Sequence, residues 1–287
     1  MLVSDVASEY RLKFLRSAST DSIRLWNIAL RMFDRFLGRP AILDDLNDMT
    51  VAEFCVWRRA AGVSGGTVNR DLGSLLALWR WSHKVGYLHR WPDVELERVP
   101  ARTPVAWTRD EFNRLIAAAR EQPGLVGTAP AGLWWSTLLL VLFDTGERVN
   151  AVLQLRWDDV DITRRWVIFA AENRKGQAAD SVARIASDTA AQLRRLRRCG
   201  GPLVFNWPKY PTYLWACYGR LLADAGLPND RRRKFHCVRK TTASHLAAAG
   251  GNATEALRHS STRITKLYLD PKITKPEQPI DRLWRPE

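Results

Sequence analysis

The sequence predicts a mainly α-helical protein in two parts. An N-terminal helical bundle is followed by an α+β domain with a small three-stranded antiparallel sheet. Three observations carry that prediction. Apolar residues recur at gaps of 3 and 4 through the first 90 residues, the period of an amphipathic helix. The period lapses over a proline-containing stretch near residues 91–104. Beyond it helical patterns return, interrupted between Asp158 and Ile185 by short alternating runs separated by turn residues. The expected boundaries are a helical domain over 1–90, a linker over 91–104 and a second domain over 105–287.

Each element follows from local chemistry. In "STDSIRLWNIALRMFDRFLG" a Ser/Thr cap precedes Ile23, Trp26, Leu30, Phe33 and Leu37, one apolar face that Gly38 and Pro40 close. "DMTVAEF" opens a second helix over roughly 50–61, which "GVSGG" is expected to break. A third runs from Thr67 to about Val85, with Val68, Leu72, Leu75, Leu76 and Trp79 on one side and Gly86 at its end. Short connections make these antiparallel neighbours in a bundle. After the linker, "TRDEFNRLIAAA" sets Thr108 three residues before Glu111, a capping-box pattern. The apolar run "AGLWWSTLLLVLF" is too short to span a bilayer and predicts a helix over 131–143 buried on all sides. "DDVDI", "TRR" and "WVIFA" then form a hairpin, and "SVARI" adds a third strand. The polar tip "ENRKGQAAD" between the last two strands carries Lys175. Helices are expected again over about 187–198, 210–225, 237–249 and 253–258.

Composition narrows the function. The 287 residues include 44 Lys plus Arg against 30 Asp plus Glu, a formal charge of +14. Such an excess favours a polyanionic partner, nucleic acid ahead of a membrane surface, because the chain has no basic amphipathic anchor. Neither a signal peptide nor a membrane span is evident, which predicts a cytoplasmic, nucleoid-associated protein. Cys55, Cys199, Cys217 and Cys237 form no C-x2-C pair, so reduced thiols are expected and zinc is not. With no P-loop and no carboxylate cluster either, neither a metal nor another cofactor is expected.

Several residues are candidates for chemistry, none of them decisive alone. "FHCVRKTTASHL" sets His236 and Arg239 three apart at a helix start, on one face. "TGERVNAVLQLRW" puts Arg148 just after a turn. "ALRHSSTRITKLYLDP" carries His259 and, nine residues on, Tyr268. Singly these read as a surface basic pair, a capping arginine, a partly buried histidine and a packed tyrosine. Lys175 on its tip reads as a solvated lysine. As a set they suit phosphodiester chemistry. Two guanidiniums can grip non-bridging oxygens, and a tyrosine can serve as nucleophile where a cationic pocket assists it.

In this order, the Arg after a T-G turn, the hairpin Lys, the H-x-x-R helix start, H-S-S and the Tyr closely resemble the tyrosine recombinase (phage integrase) family. The resemblance covers nearly the whole chain, since "TVNRDLGSLLALWRWSHKVGYL" is similar to that family's core-binding domain, a SAM-like helical bundle. It implies a site-specific DNA recombinase, an enzyme of mobile elements or chromosome resolution that forms a 3′-phosphotyrosyl intermediate. Under it, Tyr268 attacks the scissile phosphate, Arg148 and Arg239 bind it, Lys175 protonates the leaving 5′-oxygen, His236 assists proton transfer and His259 hydrogen-bonds the phosphate. The implied partner is double-stranded DNA, held by a homotetramer on two sites with an accessory DNA-bending or directionality protein. Two alternatives share the fold: a DNA-binding relic or regulator that does not cut, and an enzyme of type IB topoisomerase activity.

The chain departs from that family's pattern at four places. Ala151 stands where an acidic residue usually follows the first Arg by three, and Glu147, adjacent to Arg148, is the carboxylate expected to orient it instead. Arg258 stands where Gly usually precedes the second His. The interval from Arg239 to His259, 20 residues, is about three shorter than the family's, so the segment between must be compact. Only 19 residues follow Tyr268.

Overall fold

The structure, a computed structural model, describes residues 1–174 and 179–276. The chain divides into two compact units, Met1–Ala101 and Arg102–Glu287.

The first unit is built on four helices: α1 (Val3–Phe14), α2 (Thr20–Leu37), α3 (Asp48–Ala60) and α4 (Gly65–Lys84). Ser19 caps α2 by accepting from the Ser22 amide, and Gly38 ends it in the left-handed conformation. Trp26, Phe33, Phe54, Leu72, Leu75 and Trp79 meet in the core. Asp71, a fully buried carboxylate, is shared by two guanidiniums. Arg58 reaches one oxygen at 2.7 Å and Arg70 the other at 2.7 Å. A charge so deep is tolerated because both oxygens are paired.

Two features differ from the sequence expectation. No helix was expected over α1, although its buried Val3, Val6 and Ala7 and the partly buried Tyr10 recur at helical spacing. α3 ends before "GVSGG" as expected, but α4 starts two residues earlier than Thr67, because Gly65 and Gly66 form its first turn behind Ser64. The residues after α4 also stay fastened to this unit. The Trp79 indole donates to the Arg90 carbonyl, and the Asn69 side chain both donates to and accepts from the Glu97 backbone at 2.8 Å.

The second unit opens with α5 (Arg109–Arg120), whose capping box is reciprocal. Thr108 accepts from the Glu111 amide, and the Glu111 carboxylate accepts from the Thr108 amide. A two-stranded pair not foreseen from sequence, β1 (Leu125–Val126) and β2 (Ala129–Pro130), leads into α6 (Ala131–Thr145). α6 is the expected buried helix and packs against α5. Gly132 is required there, since a Cβ would lie 2.1 Å from the Arg120 carbonyl oxygen. Next come α7 (Val149–Leu153) and the strands β3 (Val160–Asp161), β4 (Trp166–Phe169) and β5 (Ser181–Arg184). They form the expected antiparallel sheet in the order β3-β4-β5. α8 (Ser187–Arg197) and α10 (Phe235–Ala248) pack on α6, and α9 (Pro211–Asp224) packs on α5. Three short helices close the described chain: α11 (Ala253–Ala256), α12 (Thr262–Lys266) and α13 (Pro271–Thr274). α11 is a single turn, which is how the shortened 240–258 interval is accommodated. No helix among the described residues is long and apolar enough to cross a membrane.

Candidate active site

The loop that leaves α6 turns at Gly146, in the left-handed conformation at φ 62°. A Cβ there would come within 2.6 Å of Leu257, so glycine permits the loop to lie against the segment before His259. Arg148 follows as the N-cap residue of α7. α10 meets the same loop from the other side. Thr242 donates to the Phe143 carbonyl at 2.7 Å, and Arg239, one turn earlier and 3% exposed, donates to the Gly146 carbonyl.

Arg239 is the centre of the cluster. Its second terminal nitrogen donates to the Leu257 carbonyl at 2.9 Å and lies 3.1 Å from His259 Nε2. A guanidinium has only donors, so His259 Nε2 must accept. Nδ1 then carries the proton and donates to Thr265 Oγ1 at 3.0 Å, which in turn donates to Thr254. Arg239 Nε is buried without a hydrogen-bond partner among the described residues, a donor left for an incoming anion.

Tyr268 closes the pocket. Its ring centroid lies 4.5 Å from that of His259 and 5.1 Å from that of His236, with the Arg239 guanidinium 5.6 Å away. It is not carried by a long helix. α12 ends at Lys266, and Tyr268 sits on the turn before α13. The turn is pinned on both sides. Ser244 of α10 donates to the Tyr268 carbonyl and accepts from the Asp270 amide. Buried Asp270 accepts from the amides of Ala106 and Lys272.

The electrostatics are strongly cationic. The His236 pKa is lowered to about 4, first by desolvation and then by Lys240, Arg239, Arg148 and His259. His259 is lowered to about 4 by desolvation and by Arg239 and Arg148. Both imidazoles are therefore neutral at pH 7. The Arg239 guanidinium is itself pushed down by burial and by Arg148, while Glu147 and Tyr268 act the other way. The Arg148 guanidinium makes no hydrogen bond or ion pair among the described residues.

Of the six residues singled out from sequence, Arg148, His236, Arg239, His259 and Tyr268 are brought together. Lys175 lies outside the described residues. Among the described residues no group of three or more His, Cys, Asp or Glu could hold a metal ion.

Sequence reasoning missed the groups that hold the cluster. Ser244, Thr265 and Asp270 give no signal, being ordinary helix and turn residues. Glu147 was noticed as a possible partner of Arg148. Instead the two are joined through the Arg148 backbone amide, 3.3 Å from the carboxylate, and the carboxylate faces Arg174, Arg239 and Arg258. Ala151 is 3% exposed among apolar residues, so no carboxylate task falls to it.

The model of the phage integrase family matches residues 106–274, more than half of the sequence. The chain belongs to that family. Similar relatives include the tyrosine recombinase XerC of Methylobacterium nodulans, 27% identical over 285 residues that cover 90% of this chain and 84% of the relative. Among solved structures, a Tn1549 transposon integrase in complex with transposon right end DNA is similar at TM-score 0.78 and 16% identity, covering 94% of this chain and 95% of that one. A lambda integrase tetramer bound to a Holliday junction is similar at TM-score 0.74 and 15% identity, covering 97% of this chain and 80% of the other. At these identities the structural likeness speaks for the integrase fold. In this family member, the cluster around Tyr268 is the candidate active site.

Proposed function

We propose that this integrase-family chain is a site-specific DNA recombinase that cuts and rejoins strands through a 3′-phosphotyrosyl intermediate. The observation that carries the reading is the placement of Tyr268 against His236, His259 and Arg239 within one unit of one chain. Arg148 and Arg239 bind the non-bridging oxygens, the former with its guanidinium uncommitted among the described residues and the latter with a buried Nε that has no partner among them. Tyr268 Oη attacks phosphorus, and its proton passes to neutral His236, whose low affinity for protons, set by burial and the neighbouring cations, rises once a phosphate anion offsets those cations. His259 hydrogen-bonds the phosphate. The P–O bond to the 5′-oxygen breaks, and Lys175 gives that oxygen its proton. Rejoining is the reverse attack by a 5′-hydroxyl, so bond energy is conserved. Each charged donor removed costs about 10²–10³ in rate.

Double-stranded DNA is the proposed partner, consistent with the +14 charge and with the DNA-bound Tn1549 integrase. The lambda integrase tetramer on a Holliday junction supports four protomers joining two sites. An accessory DNA-bending or directionality protein and a nucleoid location belong to the same reading.

Covalent trapping tests it. Labelled duplexes from a randomised pool, nicked so that the cut strand diffuses away, are incubated with wild-type protein and with Tyr268→Phe. A denaturation-resistant adduct is expected from wild type alone, with binding kept in both. An adduct from the Phe variant would remove Tyr268 as nucleophile, and binding without any wild-type adduct would favour the non-cutting regulator. Relaxation of supercoiled plasmid by isolated protomers, without strand exchange between sites, would favour the topoisomerase.

A further inference from the structure

Lys240 is a cation beside the phosphate pocket to which the reaction scheme gives no task. It lies on α10 four residues after His236 and three before Ala243, so these side chains leave one face of the helix. Tyr268 leans on that face at both ends. Its ring centroid is 5.1 Å from that of His236, and it packs on the apolar cluster that includes Ala243. Ser244, the next residue, donates to the Tyr268 carbonyl. Lys240 therefore stands on the tyrosine's side of α10, between residues that Tyr268 meets.

Its charge has no counterpart. The Lys240 side chain is half-buried, and among the described residues it makes no hydrogen bond and no ion pair. The carboxylates that frame the pocket are engaged elsewhere. Glu147 faces Arg174, Arg239 and Arg258, and Asp270 accepts from the Ala106 and Lys272 amides. An ammonium drawn partly out of water and left unpaired costs free energy that an incoming anion would recover. The charge is nonetheless felt across the pocket. Burial is the first cause that lowers His236 to about 4, and of the neighbouring charges Lys240 leads, ahead of Arg239 and Arg148. Lys240, Arg148 and Arg239 thus converge where the scissile phosphodiester brings a single negative charge. Two guanidiniums suffice for its non-bridging oxygens, and the ammonium is left over.

We infer, on the reading of the site proposed above, that Lys240 holds a second phosphate of the duplex, next to the scissile one on the same strand. A lysine suits that task. Its ammonium is a compact point charge with three donors on a flexible stem, and it reaches an oxygen without the planar match a guanidinium needs. Pairing there seats the strand against Tyr268. It also offsets the cation that acts most on His236, so the proton acceptor gains affinity where DNA lies in register.

Neutralising phosphates one at a time tests this. The nicked duplex that wild-type protein binds most tightly in the randomised pool is made with a single methylphosphonate, which lacks the charge, at each position around the nick in turn. Equilibrium binding is measured for wild type, Lys240→Met and Lys240→Arg at several salt concentrations. Tm checks folding, and the wild-type adduct marks the cut. One methylphosphonate next to the cut is expected to weaken wild type several-fold and to leave Lys240→Met unaffected. Either change alone should lessen the fall of log K by about 0.9 per tenfold rise in salt, and the two together by no more than that. Lys240→Arg, which keeps the charge, should keep the sensitivity. Equal sensitivity of wild type and Lys240→Met at every position overturns the inference. So does a sensitivity lost at the scissile phosphate itself, or only away from its neighbours. No adduct from wild type on any duplex overturns the site reading, while the binding map, which needs no cutting, still decides whether Lys240 takes a phosphate.

Discussion

At the scale of single residues, the two histidines of the pocket are held by their neighbours. His259 spends Nε2 accepting from Arg239 and Nδ1 donating to Thr265, so both ring nitrogens are engaged within the protein. Burial first, and the neighbouring cations second, keep both imidazoles neutral; under the proposed reading an anion between Arg148 and Arg239 offsets the second cause. The consequence for stability has a definite sign. Each histidine is lowered from 6.5 to about 4 in the folded protein. Between those values the unfolded chain binds protons that the folded chain refuses, so this contribution is whole above pH 6.5 and is lost as pH falls toward 4. The Tm of DNA-free protein should therefore drop between pH 7 and pH 5, and a His236→Asn, His259→Asn double variant should drop less. An equal decline in both would show that the acid sensitivity lies elsewhere. DNA binding at pH 5.5 should also take up protons, read by calorimetry in buffers of different ionisation heat.

At the scale of elements, the tyrosine depends on a turn rather than on a helix. Asp270 spends its carboxylate on the Ala106 and Lys272 amides, and its own amide on Ser244. Asp270→Ala leaves the buried Ala106 amide without its partner and should cost about 1–3 kcal/mol. The expected readout is a lower Tm together with slower adduct formation at unchanged DNA affinity. Full adduct rate would mean that the turn holds its place without these bonds. The same elements show what the sequence could reveal. α5 was legible because Thr108 and Glu111 form a local capping box, and the sheet because alternation and turn residues lie within thirty positions of one another. α7, α12 and α13 have four or five residues each, too few for any period to appear. The carboxylate hub was hidden for a different reason. Residues 147, 174, 239 and 258 are joined by tertiary packing, and no spacing along the chain announces it. The candidate residues were singled out as an ordered set that resembles the family, no one of them by a local signal, and the structure brings five of the six together.

At the scale of the whole molecule, charge governs encounter. A protein of +14 that neutralises many phosphates should lose DNA affinity steeply with salt, log K falling by about 0.9 per phosphate contact for each tenfold rise in salt. Titrations at several salt concentrations check this, and a flat dependence would count against extensive phosphate contact. The buried Asp71 network in the first unit and the Glu147 network in the second use the same device, one carboxylate shared among arginines. Neither network leaves its carboxylate in water, so salt that weakens DNA binding should leave both units folded.

The tyrosine packs on Ala243, Ala253 and Leu257, beside the arginine it works with and in the same chain. Under the proposed reading, nucleophile and phosphate pocket are therefore inherited together. A population mixing Tyr268→Phe protomers with Arg239→Ala protomers should contain no competent cutter, however the subunits are shuffled. Genetic complementation between those two alleles is expected to fail, and cleavage restored on mixing would show that one subunit lends its tyrosine to another.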